Sequence, residues 1–499
     1  MYNTVILTLP PQHALLEGFS SGLISLANYV ADRESAVDVR LLDLSFTDAD
    51  SVQQEIRREL SDVRGRVLIG VTTTTATYQS ALVVARAARL EAPDSTVLLG
   101  GHHASPEANV ILREHSEVDA VICGEGEPAL HELIRSPEAI HRVPNIAYRD
   151  SGAIRTNPKA ALLSTAGLDS IAPTYRGGGI RSARGKFDHV SYVSARGCPL
   201  KCAFCAVANE RIRAKSIERV IEDLRLLVRN FGYHSIAIED NFFAHSPSRT
   251  KELCDALEQV RREPGMDFSW DAQTRVESME SLDVIQAMRR GGCDAVYLGV
   301  ESLVPEHLTQ MRKTANPLRY LDSLETRVVP QLLSSDIACF INLQLGLPGE
   351  TEDDWDVTIE RLTRLGKIAR DHRKQIVVFP MLSVIYPGTS DYERAVALGG
   401  ILSNFRDTAF ERFTEWEAQQ KPVLNWLGRH FAHGTGGIPS GILQRQKLRK
   451  CRFEVDPDRV MNVVNLLDRM RHVGGVRVFN YSKYLVTPGP VPDLAIKST

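Results

Sequence analysis

The segment Gly197-Cys198-Pro199-Leu200-Lys201-Cys202-Ala203-Phe204-Cys205 brings three cysteines together directly after an apolar stretch that is typical of a buried strand. Three thiolates on one loop can bind three irons of a cubane 4Fe–4S cluster and leave the fourth iron open. A structural zinc site would need four protein ligands, and no further cysteine or histidine lies close in the sequence. The loop therefore indicates an iron–sulfur site on Cys198, Cys202 and Cys205, with a chance cluster or a three-ligand zinc site as the alternative.

The residues around this loop, from 188 to about 400, form six strand–helix units. Ser216, Ser246-Pro247 and Thr351 stand where three of the helices would begin, and each can cap a first turn. Six such units predict a partial (β/α)6 barrel of the TIM type, with its chemistry at the carboxyl ends of the strands. The apolar stretches are HVSYVSARG (189–197), HSIAIEDNFF (234–243), FSWDAQTRV (268–276), DAVYLGVES (294–302), ACFINLQLGLPGE (338–350) and QIVVFPMLSVIYPG (375–388).

Residues 1–145 show the same alternation in a different arrangement. Five apolar stretches alternate with helix-like segments, which predicts an α/β domain with a Rossmann-like, doubly wound parallel sheet. Ligands of such sheets bind beyond the carboxyl ends of the strands. The predicted strands are TVILTLP (4–10), VRLLDLSF (39–46), RVLIGVTTT (66–74), TVLLGG (96–101) and DAVICGEG (119–126).

The remaining segments connect or follow these two units. Residues 146–156 predict a hairpin around Asp150-Ser151-Gly152, and a linker rich in Gly, Ser, Arg and Pro continues to residue 187. Residues 401–499 lose the strand–helix rhythm, which predicts a small, mostly helical C-terminal subdomain that helps to close the substrate cavity. The barrel is thus predicted over 188–400.

Composition narrows the class of protein. The 499 residues carry a formal net charge of −3, which does not favour a nucleic acid or a membrane surface as the main partner. The N-terminus lacks the pattern of a signal peptide, and no apolar run is long enough to span a bilayer. We therefore expect a cytoplasmic protein.

The cysteine spacing and four further segments resemble the radical S-adenosylmethionine (SAM) superfamily from residue 188 to about residue 395. The resemblance implies that Phe204 lies near the adenine of SAM and that Glu301 contacts its polar groups. It also implies that Glu239 and Asp240 bind the amino group. The four segments are Phe204, Ile238-Glu239-Asp240-Asn241, Gly299-Val300-Glu301-Ser302 and Gly346-Leu347-Pro348-Gly349-Glu350-Thr351.

Polar side chains alternate along two strands of the predicted barrel and would share its inner face. Arg275 is the best candidate for the SAM carboxylate because a guanidinium and a carboxylate can pair through two hydrogen bonds. A structural salt bridge is the alternative for Arg275. The residues of this face are Asp271, Gln273, Arg275, Asn342 and Gln344.

The order of sheet, linker and barrel resembles the cobalamin-binding family of radical SAM enzymes, which includes the class B methyltransferases. Small and hydroxyl-bearing loop residues would let the backbone approach a large corrin. The DxHxxG pattern is absent, since Pro11 and Leu16 flank His13 where Asp and Gly should stand, so we expect no protein histidine on cobalt. The predicted cobalamin-binding residues are Pro10, Thr72, Thr73, Thr74, Gly101, His102, His103, Gly124, Glu125 and Gly126.

The resemblance implies a cobalamin-dependent radical SAM methyltransferase with three cofactors, a 4Fe–4S cluster, SAM and cobalamin. One SAM would methylate cobalamin, and a second would generate the radical that activates a carbon of the substrate. We expect a small-molecule or carrier-bound substrate of secondary metabolism, such as antibiotic biosynthesis, near Tyr386 and Trp416. An external flavodoxin or ferredoxin would supply electrons.

Three alternatives remain at this point. The first is a non-methylating cyclisation, ring rearrangement or oxidation on the same scaffold, which product mass would distinguish from methylation. The second, from another class, is a non-catalytic corrinoid or iron–sulfur carrier. A methylthiotransferase is disfavoured because those enzymes bind a second cluster through three N-terminal cysteines, and the first 150 residues here contain only Cys123.

Overall fold

The computed structural model describes two α/β units joined by a short linker. The structure describes residues 1–11, 20–45, 47, 49–75, 77–174, 180–182, 189–345, 347, 350–383, 386–397, 466, 469–470 and 472–478.

The first unit is built on an eight-stranded sheet with the order β7-β6-β5-β4-β3-β1-β2-β8. Five strands pair in parallel as predicted, in the order β2-β1-β3-β4-β5. They are almost wholly buried, because helices cover both faces of the sheet. The strands are β1 (Thr4–Leu9), β2 (Asp38–Asp43), β3 (Val67–Thr72), β4 (Thr96–Gly100), β5 (Ala120–Ile122), β6 (Ile146–Asp150), β7 (Ala153–Thr156) and β8 (Ile180–Ser182).

The helices divide between the two faces of this sheet. Helices α2, α3 and α4 pack against Ile6 and Ile69, while α1 and α5 pack against Val5 and Leu68 on the other face. The strand order reverses beside β1, so the carboxyl ends of β1 and β3 flank the usual ligand crevice. The helices are α1 (Ser21–Ala31), α2 (Val52–Leu60), α3 (Tyr78–Glu91), α4 (Ala104–Glu114) and α5 (Glu127–Arg135).

The predicted hairpin forms, and it extends the sheet. β6 and β7 pair antiparallel through a turn in which Ser151 and Gly152 have φ angles of 49° and 86°. Two consecutive positive φ angles give the turn the twist that a tight hairpin needs. The following linker contains helix α6 (Thr165–Asp169) and then β8, which pairs in parallel with β2.

The second unit is a seven-stranded, wholly parallel sheet with the order β17-β16-β15-β14-β13-β12-β9. Six of its strands, β9, β12, β13, β14, β15 and β16, are the ones predicted from the sequence. A short antiparallel ribbon, β10 paired with β11, flanks the cysteine loop. The strands are β9 (His189–Tyr192), β10 (Ala195–Arg196), β11 (Arg213–Ala214), β12 (Ser235–Ile238), β13 (Ser269–Thr274), β14 (Cys293–Glu301), β15 (Ala338–Leu345), β16 (Ile376–Leu382) and β17 (Val476–Val478).

Helices cover the outer side of this sheet, and their first turns are capped as the sequence predicts. Ser216 and Ser246 accept hydrogen bonds from the third helical residues, and Thr351 forms a capping box with Asp354. The helices are α7 (Ile217–Arg225), α8 (Pro247–Arg261), α9 (Leu282–Arg290), α10 (Pro305–Gln310), α11 (Pro317–Ser323), α12 (Val329–Ser334), α13 (Glu352–Asp371) and α14 (Ser390–Ala397).

Strand β17 differs from the prediction for the C-terminal region. Val476–Val478 lies within the segment predicted as a mostly helical subdomain, yet it pairs with β16 and adds a seventh strand to the barrel sheet. Three residues after a Gly-Gly turn give too short an apolar pattern to be recognised in the sequence. The domain bounds themselves stay predictions.

Among the described residues, no helix is both long enough and apolar enough to span a membrane.

Candidate active site

The cysteine loop leaves the barrel between β10 and β11 and is held by backbone hydrogen bonds. Cys198 O accepts from Glu210 N at 2.8 Å, and Ala203 N donates to Met311 O at 2.9 Å. Gly197 has a φ of 90°, and a Cβ at this position would fall 2.4 Å from Arg211 O. Only glycine fits there, so the turn that aims Cys198 is fixed by the residue before it.

The three cysteine side chains provide the donors that a cubane cluster requires. Cys198 is buried, and Cys202 and Cys205 are half-buried. Burial raises the pKa of Cys205 to about 11, and the charges of Cys202 and Cys198 act in the same direction. Thiols that raise one another's pKa in this way need a cation between them to become thiolates together.

The described residues contain no group of three His, Cys, Asp or Glu side chains that converge as the ligands of a single ion would. Three thiolates on one loop are the donor set of a cubane cluster, in which each thiolate binds a different iron.

Arg275 lies against the cysteine loop at the end of β13. Its Nη1 is 3.6 Å from Cys202 Sγ, its Nη2 is 3.0 Å from Glu277 Oε1, and Nη2 also donates to the backbone oxygen of Lys313. The alternative, a structural salt bridge, thus forms with Glu277, and the pairing with the SAM carboxylate stays a prediction. The guanidinium places positive charge beside a thiol of the loop.

Lys313 is a site residue that the sequence analysis missed. Its side chain is buried, and Nζ is 3.1 Å from Glu301 Oε1. The ammonium group lowers the pKa of both Cys198 and Cys205, although burial outweighs it. A lysine twelve residues after the end of β14 carries no motif that would have drawn attention to it.

Glu301 ends β14 in an unusual backbone conformation. Its φ is 72°, and the pairing of β14 with β15 shifts register between Gly299 and Glu301. Lys313 binds one carboxylate oxygen, and Gln344 Nε2 donates to the other at 3.0 Å. A non-glycine residue held at positive φ is a feature that clusters at functional sites.

The predicted pair Glu239 and Asp240 separates in the structure. Asp240 is buried, and its carboxyl group accepts from Ser194 N at 2.6 Å, Ser194 Oγ at 2.5 Å and Ala195 N at 2.8 Å. It therefore holds the backbone that leads into the cysteine loop. Glu239 is exposed, and its Oε1 accepts from Ser191 Oγ at 2.7 Å. The assignment of Glu239 and Asp240 to the amino group of SAM stays a prediction.

The other predicted residues of this half lie around the same end of the barrel. Phe204 is half-buried within the cysteine loop, and Tyr386 is half-buried after β16. Asp391 N, in α14, donates to Ala203 O at 3.0 Å, so the segment that follows Tyr386 reaches the loop. Trp416 and His13 lie outside the described residues, as do Gly346, Pro348 and Gly349 of the Gly346–Thr351 turn.

The carboxyl ends of β3, β4 and β5 form an edge with small residues. Thr73 is fully buried, and its hydroxyl donates to Gly100 O at 2.8 Å, whereas Thr72 is half-buried and Thr74 is exposed. Gly101 has a φ of 106°, and a Cβ there would lie 2.4 Å from Thr73 O. Only glycine allows the backbone to pack this closely, and Thr72 and Thr74 remain accessible beside it.

The remaining loop residues differ in exposure. Pro10 is buried directly after β1, and Gly124 has a φ of 91° with nothing within 4 Å of a Cβ placed there. Gly126 ends this loop at the start of α5, where its oxygen accepts from Leu130 N at 2.8 Å. A Cβ on Gly126 would meet Leu26 at 3.1 Å, so this glycine lies against α1, whereas Gly124 faces open space.

The two predicted histidines point in different directions. His103 is buried, its Nδ1 lies 3.2 Å from Thr75 Oγ1, and its ring lies 4.3 Å from the ring of Tyr78. Burial lowers the pKa of His103 to about 3, which keeps the ring neutral. The side chain of His102 is exposed at the edge. Desolvation of its ring by nearby protein atoms lowers its pKa, although the negative charge of Glu210 acts to raise it.

Glu125, in the loop after β5, and Glu127, at the start of α5, contact the ribbon formed by β10 and β11. Glu125 Oε1 lies 2.7 Å from Arg213 Nη1 and 3.1 Å from Arg196 Nη1, and Glu125 Oε2 accepts from Leu163 N at 3.0 Å. Glu127 Oε1 lies 2.7 Å from Arg196 Nη2. The side chain of Glu125, predicted to bind cobalamin, is thus taken up by the two arginines that flank the cysteine loop.

Comparison with known domain families separates the chain into the same two units. Residues 13–134 match the B12 binding domain, and residues 192–362 match the radical SAM superfamily. The expected cofactors, a 4Fe–4S cluster, SAM and cobalamin, are therefore confirmed at the level of domains, and the chain is an enzyme.

Similar proteins extend over most of the chain. An uncharacterized methyltransferase of Pyrococcus horikoshii is 28% identical over 79% of this chain and 83% of the relative. The hopanoid C-3 methylase of Methylococcus capsulatus is 24% identical over 87% of this chain and 82% of the relative.

Two solved structures share the fold. The radical SAM methyltransferase TsrM of Kitasatospora setae, with cobalamin and a cluster bound, matches with a TM-score of 0.65 and 18% identity over 80% of this chain and 76% of that one. The cobalamin-dependent SAM radical enzyme OxsB matches with a TM-score of 0.65 and 14% identity over 94% of this chain and 79% of that one.

Proposed function

Because the chain is a radical SAM enzyme with an N-terminal B12-binding domain, we propose that it methylates an unactivated carbon of a small-molecule or carrier-bound substrate. The observation that carries the proposal is the contact between the two halves. The cysteine loop and the edge formed by β3, β4 and β5 belong to different domains, yet Glu125 from that edge binds the arginines on both sides of the loop. This contact supports a shared site for the two cofactors.

The cofactors would supply the difficult chemistry, and the protein would orient them and exclude water. When bound, the cluster with SAM provides a hydrogen-abstracting radical, and cobalamin provides the methyl group. Cys198, Cys202 and Cys205 would hold the cluster, and Phe204, Glu239, Arg275 and Glu301 surround the place for SAM. The exposed edge at Thr72, Thr74, Gly101, His102 and Gly124 would receive the corrin.

Several of the chain's own residues would prepare this site. Asp240 fixes the backbone before the cysteine loop through three hydrogen bonds. Arg275 and Lys313 bring positive charge to the thiols, which favours their ionised form. Tyr386 lies beside α14, which contacts the cysteine loop, and is our candidate for a substrate contact. A flavodoxin or ferredoxin is the proposed electron donor.

The proposal is tested with anaerobically reconstituted protein, SAM carrying a deuterated methyl group, hydroxocobalamin and a strong reductant. We expect both S-adenosylhomocysteine and 5′-deoxyadenosine by mass spectrometry, because methyl donation and radical generation consume SAM in different ways. Formation of 5′-deoxyadenosine without S-adenosylhomocysteine, in protein that retains no cobalamin, would remove the methyltransferase proposal and leave a radical SAM enzyme.

A second candidate is a cobalamin-dependent cyclisation or oxidation without methyl transfer. It is favoured by relatives named anaerobic magnesium-protoporphyrin IX monomethyl ester cyclase, one of which, from Cereibacter sphaeroides, is 24% identical over 53% of this chain. Product mass separates the two candidates, because transfer of a deuterated methyl group adds its mass to the substrate and an oxidation does not.

A further inference from the structure

Four charged residues link the B12-binding edge to the ribbon that carries the cysteine loop. Arg196 places its two terminal nitrogens on Glu125 and Glu127, at 3.1 and 2.7 Å. Arg213 places Nη1 on Glu125 at 2.7 Å. We call Glu125, Glu127, Arg196 and Arg213 the interdomain ion cluster, since both glutamates lie in the first unit and both arginines in the second.

The cluster is shielded from water. The side chains of Glu127 and Arg213 are 4% and 8% exposed, and that of Glu125 is 14% exposed. Burial alone would raise the pKa of Glu127, but the charge of Arg196 and the hydrogen bonds from Arg196 and Ser25 lower it below its usual value. Charges buried in this way interact strongly and tolerate little change in geometry.

The two arginines stand at the two ends of the cysteine loop. Arg196 in β10 pairs with Arg213 in β11, and the loop with its cysteines lies between them. Arg213 Nη2 also binds Glu210 Oε1 at 2.5 Å, and Glu210 N donates to Cys198 O at 2.8 Å. A movement of Glu125 would therefore be transmitted to the backbone of Cys198 through Arg213 and Glu210.

The two glutamates also make hydrogen bonds to α1 and to the linker. Glu127 begins α5 and accepts from Ser25 Oγ of α1 at 2.5 Å, while Glu125 also holds the linker through Leu163 N. The cluster thus connects α1, the loop after β5, the linker and the cysteine ribbon. Four separate segments of the chain meet at one group of charges.

We infer that the interdomain ion cluster is a positioning device that sets the distance between the cysteine loop and the B12-binding edge. This inference rests on the proposed function, because a fixed distance matters only when both cofactors share one cavity. Arg196 and Arg213 are positioning residues and not catalytic ones. Loss of one charge lets the two edges move relative to each other while each domain stays folded.

The direct test measures the separation of the two cofactors by pulsed electron paramagnetic resonance. In the reconstituted holoenzyme the reduced cluster and cob(II)alamin each carry an unpaired electron, and their interaction reports the distance. We expect one narrow distance distribution in the wild type. Glu125→Gln and Arg213→Gln should each broaden the distance distribution about twofold. The double variant should broaden it little further than either single variant, because both changes break the same contact.

Controls separate positioning from general damage. Arg57→Gln removes an exposed ion pair with Glu91 that lies wholly inside the first domain, and it should leave the distribution unchanged. Arg196→Lys keeps the charge but lacks the fork that reaches Glu125 and Glu127 together, so it should give intermediate broadening. Iron content, cobalamin content and circular dichroism establish that each variant is folded and loaded.

A narrow, unshifted distribution in loaded Glu125→Gln and Arg213→Gln protein would overturn the inference. Failure of the proposed function gives a different result, since wild-type protein would then retain no cobalamin. In that case hydrogen–deuterium exchange decides the inference. Peptides covering 122–135 and 195–214 should both exchange about tenfold faster in Glu125→Gln, and a change confined to one of the two segments would refute the link.

Discussion

The carboxyl group of Asp240 is buried and accepts three hydrogen bonds from the segment that leads into the cysteine loop. Burial raises the pKa of Asp240 to about 6, although the hydrogen bonds from Ser194 and Ala195 act to lower it. The folded state therefore binds a proton more tightly than the unfolded state. The stability that this group contributes is fully present below pH 3.8, the usual pKa of the group, and is lost as the pH rises through about 6.

Asp240→Asn reproduces the protonated form of this group. Its amide oxygen can accept from Ser194 N and Ala195 N, and its nitrogen can donate to Ser194 Oγ. We expect apoprotein with this change to match the wild type near pH 4 and to exceed it at pH 7.5 by up to about 3 kcal/mol. Urea unfolding at several pH values measures the difference, and a difference that does not vary with pH would contradict the assignment.

Single residues also show how far sequence reasoning reaches. The three cysteines and Phe204 could be located because their spacing is a local pattern, and Arg275 because strict alternation gave the phase of β13. Asp240 was predicted as a SAM contact, which stays a prediction, and the structure shows in addition that its carboxyl group holds the backbone before the loop. Lys313 has no local pattern, since its position depends on how the segment after α10 folds back on the cysteines.

At the scale of elements, the loop after β4 depends on the close approach of Gly101 to Thr73. A Cβ on Gly101 would meet the Thr73 carbonyl oxygen at 2.4 Å, and the φ of 106° strains any other residue. We expect Gly101→Ala to destabilise the first domain by about 2–4 kcal/mol and to weaken cobalamin binding at least about tenfold. Urea unfolding and an absorbance titration with hydroxocobalamin measure the two effects.

Gly124→Ala is the matched control for this change. Gly124 also has a positive φ, 91°, but a Cβ there would have nothing within 4 Å. Its substitution carries the conformational cost alone, about 1–2 kcal/mol. Equal destabilisation by the two substitutions would show that the contact with Thr73 is unimportant.

Most elements were predictable because their patterns are local. Buried parallel strands give uninterrupted apolar runs, and polar caps mark the starts of α7, α8 and α13. Strand β17 was not predicted, because three residues carry almost no periodicity and their place in the sheet is set by pairing with distant β16. Thr72, Thr73 and Thr74 are equivalent in the sequence. Only the folded loop shows that Thr73 is buried whereas Thr74 is exposed.

The arrangement of the whole molecule is the least predictable property. Arg196 and Glu125 lie 71 positions apart, and Arg213 and Glu125 lie 88 positions apart. The order of sheet, linker and barrel predicted two units along the chain. It could not show that charged residues join them, because an ion pair between domains leaves no spacing pattern in the chain.

The central claim is that the cysteine loop carries the radical chemistry in a domain that folds apart from the cobalamin-binding one. The most direct measurement is 5′-deoxyadenosine formation by wild-type protein and by the Cys198→Ala, Cys202→Ala, Cys205→Ala triple variant, with cobalamin retention measured on the same samples. The wild type should cleave SAM reductively, and the triple variant should lose this activity and its iron while still retaining cobalamin. Persistent 5′-deoxyadenosine formation in the triple variant would contradict the account.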